Sequence, residues 1–411
     1  MAGPDPGFAV AVTGLGLVTA AGVGVARTWQ GVCDGTPAAA TDPDLAGLPA
    51  DMSCRVPDFD AEALLGHRVA WRLDRHVQLA LAAAHEALAD AALDTSAWDP
   101  ARVGVVLGTA LGGMPAWERE SAKLHASGPS AVSPRLIPLA APNMAAGEIA
   151  IATGAGGPNF GTCTACASGA TAIGTARELL RSGLCDIVVA GGAEACVCPL
   201  VVTPFGRMGA LSKRRGDPAA ASRPFDADRD GFVLGEGAGV LILERTEHAR
   251  ARGARIHARL SGYGASADAV HPTSPDPEGR GVARAVTAAL ADAGLSPGDV
   301  DHVNAHGTST PLNDAIEART MHRLLGDRPI LTSAKGALGH TLGAAGAIEA
   351  ALTVRTIAEG RIPPTANLDA LDPAIALDVV AKVPRTAEVE VALSNSFGFG
   401  GQNAVLVLTR P

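Results

Sequence analysis

Short apolar runs alternate with segments of helical periodicity along the whole chain. Residues 103–107 and 186–190 are typical of buried strands, and residues 75–93 carry apolar side chains at three- and four-residue steps, which predicts a helix. Further strands are predicted at residues 8–13, 239–244, 256–264, 300–305, 330–333, 391–395 and 404–408, and further helices at 168–181, 247–252, 281–294, 314–325 and 344–358. Residues 114–160 look irregular, with a short helix near 117–125. The alternation predicts an α/β fold with mainly parallel sheets covered by helices.

The chain carries a faint internal duplication. Residues 1–253 and 254–411 each open with an alternating apolar strand and later present a strand, a turn and a helix rich in Ala and Gly. A reactive residue lies in each of these turns, Cys166 in the first half and His340 in the second. We expect two similar halves whose equivalent helices face each other, with the chemistry at their junction.

Composition excludes several classes of function. A net charge of −9 and an aromatic fraction of 3% argue against nucleic-acid binding. No long apolar run free of Gly and charge is present, so no membrane span is expected, and the N-terminus does not resemble a signal peptide. The seven cysteines are scattered and odd in number, which favours a reduced, cytoplasmic protein over a disulfide framework.

Cys166 lies just before the helix predicted at residues 168–181. Backbone N–H groups at a helix N-terminus favour a thiolate, so this cysteine could be a nucleophile. The alternative is an inert cysteine in an Ala/Gly-rich core. Cys163 and Cys166 also form a Cys-x-x-Cys pair, but Cys196-x-Cys198 is a poor second pair for zinc, and we expect no metal.

Two histidines follow predicted strands in the second half. His306 is in Asn-Ala-His-Gly-Thr-Ser-Thr, and His340 is in Leu-Gly-His-Thr-Leu-Gly. One histidine beside a cysteine would suggest a protease-like pair. Two neutral histidines near one cysteine could instead donate hydrogen bonds to a carbonyl that gains negative charge, as in loss of CO₂ from a malonyl thioester. Lys335 follows a strand, and Glu317 could be its partner or could orient a histidine.

Four motifs together resemble the β-ketoacyl-[acyl-carrier-protein] synthases, and within them the KAS II-like enzymes and the ketosynthases of type II polyketide synthases. The motifs are Thr-Ala-Cys-Ala-Ser-Gly at 164–169, Asn-Ala-His-Gly-Thr-Ser-Thr-Pro at 304–311, Lys335 with Gly-His-Thr-Leu-Gly-Ala-Ala-Gly at 339–346, and Asn-Ser-Phe-Gly-Phe-Gly-Gly at 395–401. The resemblance covers nearly the whole chain in the family's order. It implies a thiolase-like fold, with two βαβαβ halves in a five-layered α-β-α-β-α core.

The resemblance also implies roles for particular residues. Cys166 would accept the acyl chain, and His306 and His340 would promote decarboxylation of the malonyl group and stabilise the enolate. Lys335 would organise the site through Glu317. The remaining implied site residues are Phe399, as gate and oxyanion-hole donor together with Cys166, and Thr308, Thr310, Phe397 and Gly398, as contacts to the substrate or its phosphopantetheine arm.

The implied partners are acyl and malonyl forms of an acyl carrier protein, which brings the phosphopantetheine arm, and a second subunit in a homodimer or a heterodimer. No cofactor bound by the enzyme itself is implied. Two alternatives of the same fold stay open: a non-elongating chain-length factor and a CoA-dependent acyltransferase. Retention of Cys166 argues against the first, and the two histidine motifs argue against the second.

Overall fold

The computed structural model describes residues 8–411, and within them a strand lies at each of the nine predicted positions, together with seven short strands that were not predicted. The strands are β1 (Val10–Thr19), β2 (Gly22–Val23), β3 (Ala40–Thr41), β4 (Met52–Ser53), β5 (Val103–Gly108), β6 (Asn159–Thr162), β7 (Ile187–Glu194), β8 (Gly237–Arg245), β9 (Ala258–Ala267), β10 (His302–Asn304), β11 (Ile330–Thr332), β12 (Arg361–Ile362), β13 (Asp378–Val379), β14 (Arg385–Thr386), β15 (Val391–Gly398) and β16 (Gln402–Thr409).

The helices fall between these strands. They are α1 (Val25–Cys33), α2 (Ala61–Leu65), α3 (His67–Ala70), α4 (Arg75–Asp90), α5 (Met114–Ser127), α6 (Leu136–Ala140), α7 (Met144–Thr153), α8 (Ser168–Arg181), α9 (Pro199–Arg207), α10 (Thr246–Ala251), α11 (Arg280–Ala293), α12 (Pro311–Leu325), α13 (Lys335–Leu338) and α14 (Ala345–Glu359). No helix within residues 8–411 is long and apolar enough to cross a membrane.

Within residues 8–411, twelve strands form one continuous mixed sheet. Its order is β13-β11-β10-β15-β16-β9-β1-β8-β7-β5-β6, with β2 paired to β1. The two ends of this order are parallel, whereas every pair from β15 through β16, β9, β1 and β8 to β7 is antiparallel. The prediction of mainly parallel strands is therefore wrong for the centre of the sheet. Apolar periodicity marks a strand but does not encode the direction of its neighbour.

The sheet and its helices build five layers. Helices α4 and α7 cover β1, β5, β7 and β8 on one outer face, and α11 and α12 cover the strands of the second half on the other. Helices α8 and α14 lie in the middle and contact both parts of the sheet. Cys166 precedes α8 and His340 precedes α14, so the central layer brings the two reactive turns together.

Several boundaries differ from the prediction. Residues 114–160 contain α5, α6 and α7, although their Pro, Met and Ser content suggested an irregular segment with only the short helix near 117–125, which lies within α5. Pro115 is in the first turn of α5, where its missing N–H costs no hydrogen bond. Strand β1 was expected to end before Gly14 but continues to Thr19, with an irregularity in its pairing to β8 between Val12 and Gly14.

Gly16 sets the distance between α4 and β1, because a Cβ atom at this position would overlap the carbonyl oxygen of Ala83. We expect Gly16→Ala to lower the free energy of unfolding by about 2–3 kcal/mol through overpacking. Gly147→Ala is the matched control: Gly147 is inside α7, and a Cβ there would meet nothing within 4 Å, so this variant should gain about 0.5 kcal/mol. Urea denaturation measures both changes, and equal stability of the two variants would contradict this packing.

Candidate active site

A strained turn holds Cys166 at the entrance to α8. Ala165 has a positive φ of 49°, and the Ser168 hydroxyl stabilises the turn by accepting from the Thr164 N–H at 2.9 Å and donating to the Ala165 carbonyl at 2.7 Å. Gly398 lies directly against it, since a Cβ atom there would be 2.6 Å from the Thr164 oxygen. Position 398 therefore requires glycine, because the backbone at this residue lies too close to the Cys166 turn to leave room for a side chain.

Cys166 and the two histidines meet in one buried cluster. The Cys166 Sγ is 3.2 Å from His340 Nε2, and the ring centres of His306 and His340 are 5.4 Å apart and nearly perpendicular, at 83°. All three residues are at least nine-tenths buried. The two halves of the chain thus contribute to a single reactive centre.

Both histidines are neutral in the resting site. Burial lowers the pKa of His306 well below its ordinary value, and the charge of Lys335 and the neighbouring His340 lower it further. Burial and Lys335 also hold the pKa of His340 well below its ordinary range. Among residues 8–411, no protein group is placed to form a hydrogen bond with the buried Nδ1 atom of either ring, so no protein contact in this range selects one tautomer. Each ring can therefore present a lone pair or an N–H to the space beside Cys166.

Burial raises the pKa of Cys166 to about 12, although Lys335 and the backbone N–H groups of Phe399 and Cys166 itself lower it. The resting group is therefore a thiol. This direction is opposite to the thiolate expected at the helix N-terminus, because desolvation of the buried sulfur is the largest influence on its pKa. Both N–H groups point at the Cys166 sulfur.

Lys335 pairs with a residue that the sequence motifs do not contain. Its ammonium group contacts the carboxylate of Glu349 on α14, and both side chains are buried. Burial raises the pKa of Glu349 to about 7 even though Lys335 opposes the shift. The predicted pairing of Lys335 with Glu317 is therefore wrong. A charged residue at position 349, inside the apolar run of residues 345–354, was the signal for a buried partner.

Glu317 has a different task. Its carboxylate accepts hydrogen bonds from the backbone N–H groups of His306 and Gly307, both at 2.8 Å, and from the Asn395 side chain at 3.1 Å. Burial raises the pKa of Glu317, whereas these donors lower it. Glu317 thus orients the loop that carries His306, which was the second role considered for it.

A cavity of about 490 Å³ leads to Cys166 and both histidines. The other predicted site residues on its wall are Glu317, Thr308, Thr310, Phe397, Gly398 and Phe399. The hydroxyls of Thr308 and Thr310 are 2.9 Å apart. Phe399 packs near Phe205, with ring centres 6.1 Å apart. Lys335 is not on this wall and acts on the cavity through its charge.

The Cys166, His306 and His340 cluster could also ligate a metal ion. One ligand atom from each residue lies within 4.8 Å of the others, and thiolate with two imidazoles is a donor set that Zn²⁺ accepts with one position left open. A metal bound there would occupy the thiol and the imidazole that face each other across 3.2 Å.

Family models match most of the chain. Residues 8–249 match the Beta-ketoacyl synthase, N-terminal domain, and residues 257–369 match the Beta-ketoacyl synthase, C-terminal domain. The chain therefore belongs to the β-ketoacyl synthase family, which confirms the resemblance seen in its motifs.

Relatives and solved structures cover almost the full length. The chain is 45% identical over 408 residues to 3-oxoacyl-[acyl-carrier-protein] synthase 2 of Synechocystis sp., covering 98% of each chain. The ishigamide ketosynthase/chain length factor superposes with a TM-score of 0.92 at 36% identity, covering 98% of this chain and 99% of that one. A type II polyketide ketosynthase, solved with its acyl carrier protein, gives 0.90 at 33% identity, covering 99% and 100%. These structures confirm the expected fold class.

Because the buried histidines are neutral in the folded site, they lower the free energy of unfolding as the pH falls. The unfolded chain protonates His306 below about pH 6.5, whereas the folded site does not, so the wild type loses stability as the pH falls through that value. His306→Asn removes this one loss. We expect the stability of the wild type relative to this variant to fall by about 1.4 kcal/mol per pH unit below about pH 6. Chemical denaturation at several pH values measures it, and a constant difference would contradict a neutral His306.

Proposed function

We propose that the protein is a 3-oxoacyl-[acyl-carrier-protein] synthase that elongates an acyl chain by decarboxylative condensation with malonyl carrier protein. The pathway would be fatty acid or type II polyketide biosynthesis. The observation that carries the proposal is the buried contact of 3.2 Å between Cys166 Sγ and His340 Nε2, with His306 beside it. We also propose that residues 1–253 form the half with the nucleophile and residues 254–411 the half with both histidines.

In the first half-reaction, the Cys166 sulfur attacks the thioester carbonyl of the acyl carrier protein. Because the resting group is a thiol, its proton must leave as the bond forms, and the unprotonated Nε2 of His340 lies where it can take that proton. The N–H groups of Cys166 and Phe399 would stabilise the oxyanion. The proton then passes to the departing phosphopantetheine thiolate, which leaves the acyl group on Cys166.

In the second half-reaction, the malonyl thioester would take the place of the first carrier arm. Neutral His306 and His340 would each donate one N–H to its carbonyl oxygen as CO₂ leaves and the enolate forms. Attack of the enolate carbon on the acyl-Cys166 carbonyl forms the new C–C bond and breaks the C–S bond, and the released Cys166 thiolate takes a proton from solvent to restore the resting thiol. This scheme requires His340 to accept a proton in the first half-reaction and to donate a hydrogen bond in the second. It is supported by the Nδ1 atom of His340, which no protein contact within residues 8–411 holds in one tautomer.

The substrate path follows from the cavity. We propose that the phosphopantetheine arm lies along it, with the hydroxyls of Thr308 and Thr310 as hydrogen-bond partners. Phe397 and Gly398 would contact the substrate, and Phe399 would move when the acyl group is in place. The arm comes with the carrier protein, so the enzyme itself would hold no other cofactor.

The proposed partners are an acyl carrier protein and a second ketosynthase-like subunit. The related structures are a complex with an acyl carrier protein and a ketosynthase/chain length factor. Strand β6 is at the edge of the sheet, and exposed Phe160 and Ile151 lie on it and on the neighbouring α7. A sheet edge with exposed apolar side chains supports association with a second subunit. Seven free cysteines support a reducing, cytoplasmic location.

Substitution of the nucleophile tests the proposed function. Cys166→Ala should lower formation of the 3-ketoacyl product at least about a thousandfold, because the covalent intermediate cannot form, while the thermal midpoint stays near that of the wild type. The matched control is Cys163→Ala, which removes an exposed thiol from the same turn and should keep activity. Mass spectrometry of the carrier-bound products and thermal melting give both readouts. Elongation by Cys166→Ala would overturn the assignment.

A further inference from the structure

Glu194 is a buried carboxylate that the scheme above does not use. It is the last residue of β7, its side chain is fully buried, and its two oxygens accept four hydrogen bonds. Oε1 accepts from the Thr109 hydroxyl at 3.0 Å and the Leu111 N–H at 3.3 Å, and Oε2 accepts from the Ala110 N–H at 2.6 Å and the Gly343 N–H at 3.2 Å. All four partners are donors, so an ionised carboxylate satisfies them, whereas an amide would direct its own NH₂ group at N–H donors.

The four donors come from two different halves of the fold. Residues 109–111 follow β5 of the first half, and Gly343 is three residues after His340 in the second. A Cβ atom at Gly343 would be 2.7 Å from the Glu194 carboxylate and would also overlap the backbone of residues 109–110, so the two loops touch with no side chain between them. Glu194 therefore acts as a clamp across the junction of the halves.

The clamp holds the segment that carries His340. Between His340 and Gly343, Leu342 has a positive φ of 42°, a conformation that a leucine keeps only when its surroundings impose it. Leu342 lines the cavity beside Cys166 and packs in the same apolar cluster as Leu111. A hydrogen bond to the Gly343 N–H is thus a direct restraint on the residues that face the sulfur of Cys166.

We propose that Glu194 is a positioning residue for the condensation: its carboxylate ties the loop after β5 to the loop after His340 and so keeps His340 within reach of Cys166. The inference rests on the proposed function for the reaction that is positioned, but the restraint itself is a property of the fold. Burial raises the pKa of Glu194, whereas its hydrogen-bond donors lower it. Burial is also the main reason why the pKa of Cys166 is raised, and the negative charge of the Glu194 carboxylate adds to that shift.

Two substitutions separate these effects. Glu194→Gln removes the charge and places an NH₂ group against donors, so we expect the rate of malonyl-carrier decarboxylation per acylatable Cys166 to fall about ten- to a hundredfold. The pH profile of Cys166 alkylation should move to lower pH. Glu194→Asp keeps the charge but is too short to reach both loops. Its alkylation profile should return to that of the wild type while the decarboxylation rate stays low.

The matched control is Glu86→Gln. Glu86 is a partly buried carboxylate on α4 that also accepts two backbone N–H groups, from Leu17 at 2.9 Å and Val25 at 2.7 Å, away from the cavity. This variant should lower the thermal midpoint and leave both the decarboxylation rate and the alkylation profile unchanged. For each variant, the decarboxylation rate is divided by the fraction of protein that carries an acyl adduct in its intact mass, so that only correctly folded sites are compared.

The outcomes are distinct. The proposal is overturned if Glu194→Gln behaves as Glu86→Gln does, losing thermal stability alone. If Glu194→Gln does not fold, Thr109→Val replaces it in the test, because this variant removes one hydrogen-bond donor to the same carboxylate. We expect the decarboxylation rate to fall about two- to fivefold, since one hydrogen bond is lost. A wild-type rate would overturn the proposal. The alkylation of Cys166 can be measured without elongation. An absence of condensation in the wild type would therefore refute the proposed function but not the restraint that Glu194 places on the two loops.

Discussion

The close contact between helices α8 and α14 sets the geometry of the whole active site. A Cβ atom at Gly169 would be 2.8 Å from the Ala347 nitrogen, and one at Gly346 would be 2.8 Å from the Ala170 nitrogen. The two helices therefore touch backbone to backbone at their N-terminal ends, where Cys166 precedes one helix. The turn with His340 precedes the other. Larger side chains at this contact would push the two helices apart and so separate the sulfur from the imidazole.

The electrostatics of the site follow from its burial. Burial of the three side chains keeps Cys166 a thiol and both histidines neutral, so the resting centre carries no charge at the reacting atoms. The charges are one layer further out, in the pair of Lys335 with Glu349 and in the carboxylate of Glu317. Fixed charges that do not touch the substrate can favour an enolate or an oxyanion without giving up or accepting its proton.

Much of this site could be predicted from the sequence because its residues sit in short, dense motifs. The sequence marks Cys166, His306 and His340 each as a reactive residue next to small residues at a strand or helix boundary, and the structure brings all three together. The partner of Lys335 was assigned wrongly, since a helix position such as Glu349 gives no sign of which buried charge it faces. The predicted preference of Cys166 for the thiolate also differs from the structure. The local sequence reveals the helix N-terminus, but it does not reveal the desolvation of the sulfur by distant segments.

The fold shows the same division. Strand and helix positions followed from apolar periodicity, but the antiparallel centre of the sheet did not, because strand direction depends on which distant segments pair. The helices α6 and α7 within residues 114–160 were not predicted, because Pro138 and Gly147 lie inside them and both residue types are poor helix formers. Glu194 gave no signal at all, since its four donors are contributed by two loops far apart in the chain.

The most direct test of this account is the intact mass of the protein after incubation with acyl carrier proteins of several chain lengths and then with malonyl carrier protein. The account predicts an acyl adduct that maps to Cys166 and is discharged as a 3-ketoacyl product two carbons longer. An adduct that forms on Cys166 but is never elongated would contradict the decarboxylating mechanism and indicate an acyltransferase. An adduct on any other residue would contradict the assignment of the nucleophile.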